Sequence, residues 1–190
     1  MASLRRTLPL LLTAGVVASS ISLVSGLRAN NLRMLELRED VFIADESGQG
    51  IEDALRALQA HVTTHMNADL PRLGDNPAIQ LKNTYERLQT AESQRVSEAR
   101  QALTDEATAY CEANVRGVQL SVRAQCVSEY IAARPVSEKE INPDLYRYNF
   151  ASPRWSPDLA GWSYVALVCF GAALFLNILY LLLTKNKPRG

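Results

Sequence analysis

Catalytic signatures are missing from this 190-residue chain. It holds two histidines, and the stretch between them, Val62-Thr63-Thr64, lacks the glutamate that serves as base in an HExxH zinc peptidase. No Glu-x-x-His pair of the di-iron bundle kind occurs, and no GxSxG elbow presents a serine. Gly48-Gln49-Gly50 falls between helical stretches rather than after a strand, which excludes a dinucleotide loop. The three cysteines form no CxxC, so neither a thioredoxin-like centre nor a zinc ribbon is expected. Clustered basic residues are also missing from the centre, and without them nucleic acid is not an expected partner. His61, His65 and Asp69 follow one another at spacings of four. They are read as an ordinary helix edge, with a metal enzyme the remotest of the readings. No enzyme activity, cofactor or metal is expected.

What the chain has instead is long apolar runs. From Trp162 to Leu183 there are 22 residues without a formal charge, enough to cross a hydrocarbon core that needs about 20 helical residues. The start is well signalled: Ser156 is the expected N-cap, Pro157 suits the first helical position, and Asp158 is favourable against the helix dipole. Trp155, Trp162 and Tyr164 lie where an aromatic belt belongs. A second run, Leu8 to Leu27, follows Arg5-Arg6. A cleavable signal with Val24-Ser25-Gly26 at its cleavage site competes with an uncleaved transmembrane helix. The length favours the helix.

Charge supports two crossings. Arg5, Arg6, Lys185, Lys187 and Arg189 lie in the tails, which leaves 15 basic residues against all 20 acids in the centre, a net −5. Short basic flanks are expected on the cytoplasmic side, with the central region outside. Cys111 and Cys126 then form a natural extracytoplasmic disulfide, and Cys169 stays within the second apolar run. Small residues at Ala14, Ala18, Ser22 and Gly26 give the first helix a row suited to close packing, and Ala166, Cys169, Ala173 and Asn177 give the second a matching seam. Asn177 either bonds within this helix pair or binds a partner subunit.

Between the two runs, helical spacing dominates. Ala29–Glu46 carries Leu32, Leu35, Val41 and Phe42; Ser47-Gly48-Gln49-Gly50 breaks it; Ile51–Asp69 continues with Ile51, Leu55, Leu58, Val62 and Met66. Pro71–Pro77 reads as a turn-rich connector. Ala78–Asn114 contains no Gly or Pro and predicts one long helix whose stripe, marked by Leu81, Tyr85, Leu88, Ala99, Leu103 and Tyr110, thins between Glu92 and Glu98. That thinning predicts a stretch projecting from the bundle or meeting a partner. Gly117 is the expected stop and Val118–Ala133 a return helix. Beyond Pro135, Tyr146, Tyr148 and Phe150 alternate with polar residues at extended spacing.

Three stretches carry a resemblance: His65–Leu70, Pro77–Lys82 running on to Tyr85-Glu86-Arg87, and Ser152–Ser163. Together they resemble a family of small two-pass bacterial membrane proteins, associated with ultrasmall host-attached bacteria, to which no activity or site is assigned. The resemblance implies topology and nothing catalytic. More loosely, two membrane helices framing an external bundle are similar to the input half of chemoreceptors and sensor kinases. Only Thr184–Gly190 follow Leu183, however, so any output is expected to pass laterally through membrane partners.

The expected fold is all-α. It comprises a cytoplasmic tail (1–7), a transmembrane helix (8–27), an extracytoplasmic bundle of about four helices (28–134), an irregular Pro/aromatic return (135–158), a second transmembrane helix (159–183) and a cytoplasmic tail (184–190). The expected role is a structural or interaction subunit of the bacterial cell envelope, with the lipid bilayer and a membrane protein or a second copy as partners. The alternative is a ligand-sensing module that signals through a separate membrane partner.

Overall fold

The computed structural model describes residues 2–70, 78–115 and 119–185. The expected connector Pro71–Pro77 and the stop at Gly117 lie outside the described residues. Five α-helices account for most of the rest: α1 (Ala2–Ser47), α2 (Ile51–Thr64), α3 (Lys82–Asn114), α4 (Leu120–Ala132) and α5 (Leu159–Lys185). The only strands among the described residues are β1 (Ile79–Gln80) and β2 (Arg147–Tyr148), which pair with each other. The fold class is all-α. Two compact units form, Met1–Gln80 with Tyr148–Gly190 and Leu81–Arg147.

In the first unit, α1 runs unbroken through the apolar stretch and on to Ser47, about 69 Å at 1.5 Å per residue. Its second half buries Met34, Leu37, Val41 and Ala44, while Leu32 and Leu35 are exposed. Of the expected stripe, Val41 is therefore in the core and Phe42 half-buried beside it, whereas Leu32 and Leu35 face out. Apolar residues occur all round this segment, and spacing alone did not choose between the two faces. The break at Ser47–Gly50 is where the spacing put it, with Gly48 and Gly50 at φ of 74° and 68°. From there α2 turns back and buries Leu58 and Val62.

Helix α2 stops at Thr64 rather than running on to Asp69. The hydroxyls of Thr63 and Thr64 donate back to the carbonyls of Gln59 and Ala60, 2.7 and 2.6 Å away. Next, His65 is extended and Asn67 takes a positive φ of 58°. The spacing of four that linked His61, His65 and Asp69 on one helical face does not survive this turn.

Helix α5 packs antiparallel to α1. A Cβ on Gly26 would lie 2.8 Å from the Ala160 backbone nitrogen, so only glycine lets the two helices approach there. Farther along, Gly15 faces the Phe170 ring. Ser19 and Gly26 on α1 are buried, as are Ala160 and Ser163 on α5.

The chain passes from the first unit to the second between Gln80 and Leu81. The long helix starts at Lys82 and not at Ala78. Ala78, Ile79 and Leu81 are buried in extended backbone instead. Partners distant in sequence draw them out: the Ala78 N–H donates to Asn149 Oδ1, and the Leu81 N–H to the Tyr146 carbonyl, each at 2.9 Å. Along α3 the buried residues are Val96, Ala107 and Cys111.

Helix α4 buries no residue fully. Side-chain links hold it to α3. Tyr130 lies 5.0 Å from the Tyr110 ring, donates to Glu106 at 2.6 Å, and carries the Arg134 guanidinium over its own ring. The Cys111–Cys126 disulfide is formed, closing a separation of 15 residues. On the chain-entropy model, a loop of that size is worth up to about 3 kcal/mol. Reduction should therefore release α4 while α3 remains folded. Hydrogen exchange followed residue by residue checks this: α4 amides are expected to lose protection on reduction, and unchanged protection would contradict it.

Candidate functional site

The polar groups of the first unit converge where apolar α5 begins. Asp158, not Ser156, is the N-cap. Its Oδ1 accepts from the Gly161 N–H at 2.9 Å, and its carbonyl accepts the first helical bond from Trp162. Gly161 is confined to glycine, because a Cβ there would overlap the Ser156 carbonyl. Ser156 is buried and serves elsewhere: its Oγ accepts from the Met66 N–H at 3.0 Å.

Asn30 of α1 completes the junction. Its Nδ2 donates to Asp158 Oδ2 at 2.7 Å and to the Met66 carbonyl at 3.1 Å. Its own carbonyl accepts from His61 Nε2 at 2.9 Å. The His61 and His65 rings stack with centroids 4.4 Å apart, and His65 Nδ1 donates to the His61 carbonyl at 3.0 Å. Partial burial works against the Asp158 carboxylate. Bonds from Gly161, Asn30 and Ser156, with His65 nearby, nevertheless hold its pKa below the ordinary range. Asp158 and Asn30 together thus tie α1, the turn after α2 and the start of α5.

The two histidines each spend a ring nitrogen on a backbone carbonyl, and Asp69 accepts from the Ser152 N–H at 2.9 Å. Among the described residues, no three His, Cys, Asp or Glu side chains gather into a metal-binding set.

The small-residue rows divide. On α1, Ser22 and Gly26 lie in the packed face, but Ala14 and Ala18 are exposed; Gly15 and Ser19 take their places. On α5, Ala166 and Asn177 are half-buried, whereas Cys169 and Ala173 are exposed. The α1 row, spaced strictly by four, drifts around a helix of 3.6 residues per turn and so shares the packed face only at its Ser22–Gly26 end. Trp155, Trp162 and Tyr164 are exposed around the start of α5, with the two tryptophan rings edge to face at 5.9 Å.

In the second unit the site is the Glu92–Arg95 pair. Arg95 forks onto both Glu92 oxygens at 2.7 and 2.8 Å and also donates to the Ser137 carbonyl at 2.9 Å. Glu92 in turn accepts from the Lys139 N–H at 2.6 Å. This is the stretch where the apolar stripe thins. Polar bonds to the returning chain replace apolar packing there, and Val96 below is buried. Sequence reading missed Asn30, Glu92 and Arg95. Their one local signal was a polar residue standing where the apolar period called for a hydrophobe.

The Arg95 bond, then the Lys139 N–H, lower the Glu92 pKa from 4.5 to about 2. A depressed carboxylate stabilises its fold above the ordinary pKa and loses that contribution as pH falls through the folded value. The 137–139 segment is therefore expected to stay latched down to about pH 4.5 and to release between there and about 2. The Lys139 amide resonance should report that transition, and release complete by pH 5 would contradict it.

Compared with known proteins, the chain matches no family model, no curated protein and no solved structure.

Proposed function

We propose that this chain is a two-pass membrane protein of the bacterial cell envelope, both tails cytoplasmic, acting as a structural or interaction subunit. The observation that carries this reading is the apolar exterior of the α1–α5 pair. Two helices long and apolar enough to cross a membrane pack against each other, and their outer faces present Leu10, Leu11, Phe175 and Leu183, each at least 67% exposed. In water, an apolar surface of that extent marks a site to be covered; in hydrocarbon it is the ordinary exterior. The exposed aromatics at the start of α5 are suited to the headgroup layer, and the Cys111–Cys126 bond to an oxidising compartment.

On this reading the second unit lies outside the cytoplasm, and its slender hairpin offers long helical faces to partners. The ligand-sensing alternative has one observation in its favour. A cavity of about 420 Å³ opens beside α3, lined by the apolar Leu88, Ile141, Leu145 and Tyr146 and by the charged Glu92, Arg95 and Lys139. Lysine-directed crosslinking with mass spectrometry in native membranes separates the two readings. An interaction subunit is expected to yield a reproducible crosslinked partner, its own copy included. Recovery of uncrosslinked monomer alone, with thermal stabilisation by a small molecule, would favour the sensor.

A further inference from the structure

The returning chain over 137–146 is pinned at both ends, to α3 and to its N-cap residue Leu81. At one end the Ser137 carbonyl accepts from Arg95 at 2.9 Å, and the Lys139 N–H donates to Glu92 at 2.6 Å. At the other, the Tyr146 carbonyl accepts from the Leu81 N–H at 2.9 Å, and the Tyr146 ring lies 5.9 Å from that of Tyr85. The 3₁₀ turn Pro143–Tyr146, capped by the Asn142 side chain, shapes the span between the pins. The cavity of about 420 Å³ opens there. Leu88 and Ala91 form its α3 wall, and Ile141 and Leu145 belong to the wall opposite. Leu88 is 40% exposed and Leu145 67%, so aliphatic surface stands bare in a concave site whose walls are held apart.

Four charged side chains line the same cavity, Glu92 and Glu140 against Arg95 and Lys139. Arg95 forks onto both Glu92 oxygens, so those two charges match each other. Lys139 and Glu140 remain as one cation and one anion, both exposed and adjacent in the chain. We propose that this cavity binds a small zwitterion carrying an aliphatic group, the chemistry of a free aliphatic α-amino acid. The aliphatic group enters between Leu88, Ala91, Ile141 and Leu145, where its apolar surface leaves water. The ligand carboxylate meets the Lys139 ammonium, and the ligand ammonium meets the Glu140 carboxylate. A ligand of one charge satisfies one of these groups and faces a like charge on the other; an uncharged ligand gives neither an ionic partner. Walls already in place keep the ordering cost of binding low. The site lies wholly within Leu81–Arg147 and does not depend on the membrane-subunit reading.

Free leucine is the probe. The full-length protein in phosphatidylcholine nanodiscs, with its Ile and Leu methyls isotopically labelled, is titrated with leucine and three analogues. These are 4-methylpentanoate, which lacks the ammonium, leucinamide, which lacks the carboxylate, and glycine, which lacks the side chain. Leucine is expected to shift the Ile141 and Leu145 methyls saturably, and each analogue to bind more weakly by about tenfold or more. Glu140→Gln should remove the advantage of leucine over 4-methylpentanoate, and Lys139→Gln its advantage over leucinamide. Both positions are exposed, so the melting temperature of each variant is expected to match wild type. Leucine giving no saturable shift overturns the site. Either charged analogue binding as tightly as leucine overturns the zwitterion, and glycine doing so overturns the aliphatic wall. A lysine-crosslinked partner found alongside any of these failures leaves the interaction-subunit reading standing.

Discussion

Asp158 is where the first unit closes. Oδ1 takes the Gly161 N–H, one of the donors every helix start leaves without an internal partner. Oδ2 takes the Asn30 amide, which also holds the Met66 carbonyl. A carboxylate beside an apolar helix is costly unless its oxygens are fully engaged, and here each is engaged by a different element. The same contact therefore starts α5, orients α1 and fixes the turn after α2. His61 and Ser156 extend it from either side, the first onto the Asn30 carbonyl and the second onto the Met66 N–H.

The two units hold together by different means. The first combines close helix approach, set by Gly26, with a buried cluster of Met34, Val41, Leu58 and Val62. In the second, α3 buries only Val96, Ala107 and Cys111 fully, and α4 buries no residue fully. A disulfide and a set of charge-assisted bonds make up for that shortage, as expected of small assemblies that cannot build a large apolar core. Glu92 and Arg95 serve the N-terminal half of α3, and Cys111 and Tyr130 serve the C-terminal half.

Local chemistry was legible in the sequence; the choice of partner was not. The break at Ser47–Gly50, the all-α class and the cysteine pair each follow from residue type and spacing. Where several residues could serve, spacing misled. Ser156 and Asp158 are both good caps, and the choice fell to Asp158 because Ser156 was needed by Met66, 90 residues away in the chain. Leu32 and Leu35 made as good a stripe as Met34 and Leu37 until α2 selected the face. Ala78–Leu81 reads as helix by composition, yet Asn149 and Tyr146 draw it out as extended chain. In each case a contact between residues far apart in sequence outweighed a preference of less than about 1 kcal/mol per residue.

The claim that one contact couples these elements is open to a double-mutant cycle. Asn30→Ala, Asp158→Ala and the double variant can be unfolded reversibly in mixed micelles, with the free energies compared. If Asn30 and Asp158 act through each other, the two losses fall short of additivity by about 1 kcal/mol or more. Strictly additive losses would contradict the coupling and leave Asp158 as a helix cap alone.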